Sequence, residues 1–214
     1  MSPEPEVPRT DPGTLPLWSL REEVTLEASM DGELVLRDGC TTEPVRDADP
    51  VLCEVLRRMT FGPVLLSNVD PSLAHPAIRE PGAWECGASP VWPVLHRLSH
   101  LVVRSLGTDD KKGPLLSVFT KTRGTLFDPV RLTDGDPLRL SPWASLRGAA
   151  DGDPVLESTL APFRVVLHRP EAAWSVRVLA RPVSPATVLA LPLAPATAAD
   201  ILAYLAAAGM TEKA

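Results

Sequence analysis

An internal repeat is the feature that most constrains how this chain folds. An Asp-Gly pair begins at Asp31 and another begins 120 residues later at Asp151. At the same offset, Pro50 and Pro170 each open a segment with helical character. Self-similarity at a fixed offset indicates one structural unit used twice. The sequence therefore predicts two similar modules in tandem.

Each module is predicted to contain three extended segments followed by helices. Gly after Asp supplies the positive φ of a hairpin turn, and proline is well tolerated at the first position of a helix. The predicted strands are residues 18–28, 33–37 and 41–46 in the first module, and 143–148, 155–158 and 163–168 in the second. The predicted helices are 50–59 and 93–106, then 170–180, 186–190 and 196–208, and the last is capped by Gly209. This pattern predicts an α+β fold of two winged-helix-like modules, each a small antiparallel sheet followed by helices.

Composition and charge set the domain boundaries and exclude several classes of protein. We expect a disordered lead-in (1–16), a first module (17–122, with a strand at 115–119), a linker (123–140), a second module (141–210) and a tail (211–214). The net charge of -6, and a last helix without Lys or Arg, argue against nucleic-acid binding. No segment resembles a secretory signal or a membrane span, and three cysteines fit a reducing cytoplasm.

No pattern of metal ligands or cofactor motif is apparent. His96 and His100 have a chelating spacing, but no further ligands accompany them, so we interpret them as solvated residues on the polar face of a helix. No glycine-rich phosphate-binding motif occurs, and we expect no cofactor. Among the tryptophans, Trp18, Trp143 and Trp174 are expected in the core, whereas Trp84 and Trp92 are candidates for an exposed partner surface.

Several short motifs occur in an order that resembles the N-terminal region of SagB-type azoline dehydrogenases. These enzymes serve ribosomal-peptide (RiPP) pathways to thiopeptides and other azole-containing products. The resemblance covers residues 17–210, and it rests on residues 17–21 (LWSLR), 57–59 (RRM) with 62–64 (GPV), 100–107 (HLVVRSLG), 141–147 (SPWASLR), 156–158 (LES), 160–162 (LAP) and 165–168 (VVLH).

The resemblance implies a PqqD-like recognition element, a winged-helix module that captures the leader segment of a precursor peptide. In that family a flavin-binding nitroreductase-like domain follows, and residues for such a domain are absent from this sequence. We therefore expect a non-enzymatic leader-peptide recognition protein that works with a cyclodehydratase or dehydrogenase of its pathway. The alternatives are the substrate-binding part of an FMN-dependent azoline dehydrogenase and a structural adaptor. Homodimer formation is left open.

The resemblance also implies how the peptide binds, by pairing as an extra strand with an exposed sheet edge. The expected edge is the strand at 163–168, beside the last helix. The expected peptide-binding residues are Phe163, Arg164, Val165, Val166, Leu167 and His168 of the strand and Leu202 and Leu205 of the helix, with Arg169 as a further cation for an acidic leader. A second candidate groove lies between residues 41–46 and His96, Arg97, His100 and Arg104. The remaining alternative is that both modules are scaffolds.

Overall fold

A computed structural model describes residues 13–28, 33–39, 41–82, 89–133, 137–149, 152–184 and 192–214. Within these ranges the chain forms four α-helices and twelve strands. The helices are α1 (Pro50–Met59), α2 (Val91–Arg97), α3 (Pro170–Val178) and α4 (Pro195–Ala207). The strands are β1 (Thr14–Leu20), β2 (Val24–Ala28), β3 (Leu34–Asp38), β4 (Thr41–Val45), β5 (Val64–Leu65), β6 (Val102–Thr108), β7 (Pro114–Thr120), β8 (Leu138–Leu140), β9 (Ala144–Ala149), β10 (Gly152–Ser158), β11 (Phe163–Leu167) and β12 (Thr211–Lys213). None of the helices in these ranges is long and apolar enough to cross a membrane.

The strands form three antiparallel sheets. The largest has seven strands in the order β5-β1-β6-β7-β11-β10-β9, and the others are β2-β3-β4 and β8-β12. The β6–β7 hairpin lies inside the large sheet and joins strands from the two halves of the chain. The expected α+β class is therefore correct.

The order of elements repeats along the chain as the sequence offset predicts. Strands β2, β3 and β4 followed by α1 correspond to β9, β10 and β11 followed by α3. In each half, a strand before this unit pairs antiparallel with a strand after it, β1 with β6 and β8 with β12. The two units differ in placement, because the first forms its own sheet and the second belongs to the seven-stranded sheet.

Local sequence explains the start and the buried face of helix α1. The carboxylate of Asp49 accepts a hydrogen bond from the Leu52 amide at 2.7 Å, which caps one of the free N–H groups of the first turn. Pro50 follows the cap at the first helical position. The apolar residues of α1 recur every three or four positions, so they lie on one face of the helix and are buried in the core. They are Leu52, Val55, Leu56 and Met59.

The buried side chains form two hydrophobic clusters. The first contains Trp18, Leu36, Leu56 and Leu95 among its members, and the second contains Leu116, Val165, Val176, Leu202 and Tyr204 among its members.

The tryptophan predictions were right at only one of the four described positions. Trp18 is buried as expected, but Trp92 is buried beside it, with ring centroids 5.6 Å apart. Trp143 and Trp174 are 58% and 39% exposed, because they lie at a sheet edge and on an outer helix face. Trp84 lies outside the described residues.

The helix predicted at residues 93–106 is wrong. Helix α2 ends at Arg97, and Val102–Thr108 is strand β6, which pairs with β1 on one side and β7 on the other. Six of its seven residues are buried. A run that is buried on both faces loses the alternation typical of a strand, so periodicity alone does not distinguish it from a helix.

The expected limits of the modules also need correction. Strand β1 begins at Thr14 inside the expected lead-in, β8 lies in the expected linker, and β12 lies in the expected tail. The extended segment predicted at 18–28 is two strands in different sheets. The short helix predicted at 186–190 and the turn at Asp31-Gly32 lie outside the described residues.

Gly209 ends helix α4 as predicted, and its replacement gives a first test of the fold. Its φ is 71°, and an added Cβ would lie 3.0 Å from Cβ of Ala161. We expect Gly209→Ala to lower the free energy of unfolding by about 1–3 kcal/mol, because both the left-handed backbone and the close contact oppose a side chain. Urea denaturation followed by circular dichroism measures this. Gly148→Ala is the control, since an added Cβ meets nothing within 4 Å there.

Candidate functional site

The strand expected to bind peptide has no free edge. β11 pairs with β7 on one side, where Val165 lies opposite Val118, and with β10 on the other, where Val165 lies opposite Leu156. Strand addition at β11 is therefore wrong as a binding mode. The third strand of the second unit looked like an edge because its partner β7 lies outside the unit and ends more than forty residues before β11 begins.

The expected binding residues divide between the two faces of the sheet. Five of them lie in the second hydrophobic cluster and are at most 3% exposed: Phe163, Val165, Leu167, Leu202 and Leu205. The helix wall expected beside the strand is therefore part of the core. Arg164, Val166 and His168 point to the opposite face, as the alternation of a strand requires.

These three residues line a groove on the outer face of the seven-stranded sheet, which we name the open-face groove. Its volume is about 510 Å³. The sheet forms the floor, and the β1–β2 turn and the segment after α1 form walls. The floor residues are Ser19, Val103, Ser105, Ser117, Phe119, Arg164, Val166 and His168, and the walls include Arg21, Glu22, Glu23, Thr60, Phe61 and Pro63.

A continuous chain of hydrogen bonds begins on the floor of the open-face groove, at Ser105, Ser117 and His168, and ends at Asp153. The hydroxyl oxygens of Ser105 and Ser117 are 2.7 Å apart, and Ser117 Oγ lies 2.8 Å from His168 Nε2. His168 Nδ1 lies 2.5 Å from a carboxylate oxygen of Asp153. Neighbouring strands position these groups, because β6, β7, β11 and β10 are adjacent in the sheet and His168 directly follows β11.

Two arginines border the same groove. The guanidinium of Arg164 lies over the ring of Phe119, 4.7 Å from its centroid. Arg21 donates a hydrogen bond to the backbone oxygen of Thr120. These contacts hold positive charge beside an otherwise mixed polar and apolar floor.

The second candidate groove lies along the outer edge of β4, which we name the β4 edge. In the described ranges no strand pairs with this edge, since β4 is the last strand of the β2-β3-β4 sheet. Arg97 Nη2 donates to the backbone oxygen of Pro44 at 3.5 Å. Arg123 Nη1 lies 2.6 Å from a carboxylate oxygen of Glu43. Two arginines from outside the small sheet therefore reach this edge.

His100 also reaches the β4 edge, with Nε2 3.5 Å from the Glu43 carboxylate. Burial lowers the pKa of His100, Arg123 lowers it further, and Glu43 acts in the opposite direction. The imidazole is therefore neutral at neutral pH. The interpretation of His96 and His100 as solvated residues of one helix is wrong, because α2 ends between them and both are partly buried.

His96 and Arg104 do not contribute to the β4 edge as expected. Both line a cavity of about 20 Å³ together with Trp18 and Phe127. The guanidinium of Arg104 lies 3.5 Å from the Trp18 ring centroid, and burial lowers the pKa of Arg104. The strand assignment of 102–108 explains this, since Arg104 points to the core face of the sheet.

Reasoning from the sequence found one member of the hydrogen-bonded chain and missed the others. His168 was predicted to bind peptide, whereas no role was predicted for Ser105, Ser117 or Asp153. The strand at β7 was predicted, and alternation along it would have placed Ser117 and Phe119 on one face. Nothing in the sequence indicated that this face lies beside His168.

Comparison with known proteins assigns no family to these two surfaces. No protein-family profile matches the chain, and no curated protein matches it in sequence.

Proposed function

We propose that this chain is a cytoplasmic leader-peptide recognition protein built from two winged-helix-like modules. It binds the leader segment of a ribosomal precursor peptide and presents the peptide to a modifying enzyme of the azole or thiopeptide type. The proposal rests on the resemblance of the motifs and on the properties of one strand edge. That edge is the β4 edge and not the edge of β11.

The observation that carries the proposal is the contrast between the two equivalent strands. β4 and β11 are the third strands of the repeated unit. The outer edge of β11 carries β7, which runs antiparallel to it over five residue pairs. The corresponding edge of β4 pairs with no strand in the described ranges. One copy of the unit thus binds an extended segment of its own chain at the position where the other copy is open.

The backbone of β4 supports antiparallel pairing at this edge. Pro44 has no N–H, so its pair with Val35 is of the non-hydrogen-bonded type. Pair types alternate along a ladder, and the pair of Thr42 with Arg37 is therefore of the same type. The N–H and C=O of Thr42 consequently point away from β3 and are oriented to pair with an added strand.

The charges beside this edge favour an acidic peptide. Arg97 and Arg123 reach β4 from outside its sheet, and Arg46 follows the strand with its side chain exposed. Acidic side chains on alternate positions of a bound strand would lie near these guanidinium groups.

Proline at Thr42 tests the proposal. We expect Thr42→Pro to weaken peptide binding by about tenfold or more, because it removes the outward N–H and blocks close approach of a second strand. The measurement is fluorescence anisotropy with a fluorescein-labelled acidic leader peptide of an azole or thiopeptide precursor.

Thr42→Val is the matched control, since it keeps the N–H and the β-branched shape. We expect it to bind within about twofold of the wild type, and both variants are checked by circular dichroism. Equal affinity of the proline variant and the wild type would refute binding at the β4 edge. No binding by folded wild-type protein at tens of micromolar would refute the proposed function.

A further inference from the structure

The hydrogen-bonded chain in the open-face groove has the arrangement of a nucleophile, a base and an orienting carboxylate. Ser117 Oγ lies 2.8 Å from Nε2 of His168, and Asp153 lies 2.5 Å from Nδ1 of the same ring. We propose that Ser117, His168 and Asp153 form a serine-hydrolase site that cleaves small carboxylic esters. The roles follow from which ring nitrogen each group contacts, as in other Ser-His-Asp sites.

The numbers of donors and acceptors on these side chains determine the direction of each hydrogen bond. An ionised Asp153 only accepts, so Nδ1 of His168 carries the proton that lies between them. In the neutral ring, Nε2 is then an acceptor, and Ser117 must donate its hydroxyl proton to it. The hydroxyl of Ser105, 2.7 Å away, in turn donates to Ser117 Oγ. This is the tautomer in which histidine acts as a general base toward serine.

The strand register holds these groups in place. Ser117 is paired with Ser105 on β6 and with Val166 on β11, so its side chain lies on the groove face between two ladders. His168 is two residues beyond Val166 along the same face, and its backbone N–H donates to Leu115 O at 3.0 Å. Ser117 is only 4% exposed, but its side chain lines the groove. The nucleophile is thus rigid, shielded and open to one cavity.

The groove indicates the class of substrate. Val103, Val166 and Phe119 provide an apolar floor around the serine, and the guanidinium of Arg164 lies over the ring of Phe119. A volume of about 510 Å³ accommodates a small acyl group together with its leaving group. We therefore assign the site to esters with a short apolar acyl chain.

The reaction balances with water as the second substrate. Ser117 Oγ forms a bond to the carbonyl carbon while its proton passes to His168 Nε2. The carbon–oxygen bond of the ester then breaks, and His168 protonates the departing alkoxide. Water attacks the acyl-enzyme, gives a proton to His168, and releases the acid as Ser117 regains its hydrogen. The hydroxyl of Ser105 is close enough to the attacking oxygen to donate to the oxyanion.

The test is covalent labelling of the full chain with a fluorophosphonate–biotin probe, followed by mass spectrometry of the digested protein. We expect one label per chain at Ser117. Ser117→Ala should lose the label, and His168→Gln should slow labelling by roughly 10²–10⁴-fold. Ser72→Ala is the matched control and should label as the wild type does, because Ser72 is exposed and lies outside the groove.

A second readout is hydrolysis of p-nitrophenyl acetate. We expect turnover by the wild type above the uncatalysed rate, and a fall in turnover with Asp153→Asn, which disturbs the tautomer. Absence of a Ser117 adduct in folded wild-type protein, or equal labelling rates for wild type and His168→Gln, would overturn the assignment. No residue of β4 lines this groove, so this result and the peptide-binding result are independent.

Discussion

Tyr204→Ala is expected to lower the free energy of unfolding by about 3–5 kcal/mol, a large part of the stability of a domain of this size. Tyr204 lies on α4 and is fully buried in the second hydrophobic cluster. Its ring packs edge-on against Phe127, with centroids 5.0 Å apart, and Phe127 packs in the same way against Phe163. Alanine would leave a cavity next to two aromatic rings. Urea denaturation followed by far-UV circular dichroism measures the change.

Tyr204→Phe separates the ring from the hydroxyl in this experiment. It keeps the contact with Phe127, so we expect a loss of only about 1 kcal/mol. A small loss for alanine as well would mean that α4 does not pack on the sheet in this way.

Val165→Pro is expected to lower the free energy of unfolding by at least about 3 kcal/mol. Val165 is fully buried in β11, between Val118 of β7 and Leu156 of β10. Proline removes an N–H from an interior ladder, leaves a buried carbonyl without its partner, and places its ring between paired strands. Thermal and urea unfolding should both show the loss.

Two further variants test whether the loss of stability comes from proline in an interior strand. Val165→Ala keeps the N–H and should cost clearly less than proline. Thr42→Pro, on the outer edge of β4, should cost about 1 kcal/mol or less, since no strand of the described ranges pairs with that edge. Similar costs for proline at Val165 and at Thr42 would contradict the assignment of one strand as interior and the other as an edge.

Elements governed by adjacent residues were predicted well. Helix α1 has the predicted bounds because Asp49 caps it and Pro50 opens it. The strands at β4, β7 and β11 lie within a residue or two of their predicted limits, since β-branched and apolar residues are concentrated there. The repeat of three strands and a helix was likewise visible in the sequence.

Elements that depend on residues distant in the sequence were not predicted correctly. Val102–Thr108 was assigned to a helix because a strand covered on both faces shows no alternation. The pairing of β7 with β11 also has no signal in either strand, since backbone hydrogen bonds form between almost any two sequences. Because β7 pairs with the edge of β11, we place the candidate peptide site on β4 and not on β11.

The sequence by itself therefore determined the repeated unit and the residue types that each unit offers. Only the tertiary structure decided which strand edge is open in the described ranges. Only it brought Ser117 to His168 and Asp153, although Ser117 and His168 are 51 residues apart in the sequence. The physical reason is the range of the interactions. Caps, turns and propensities act within a few residues, whereas strand pairing and burial depend on the whole chain.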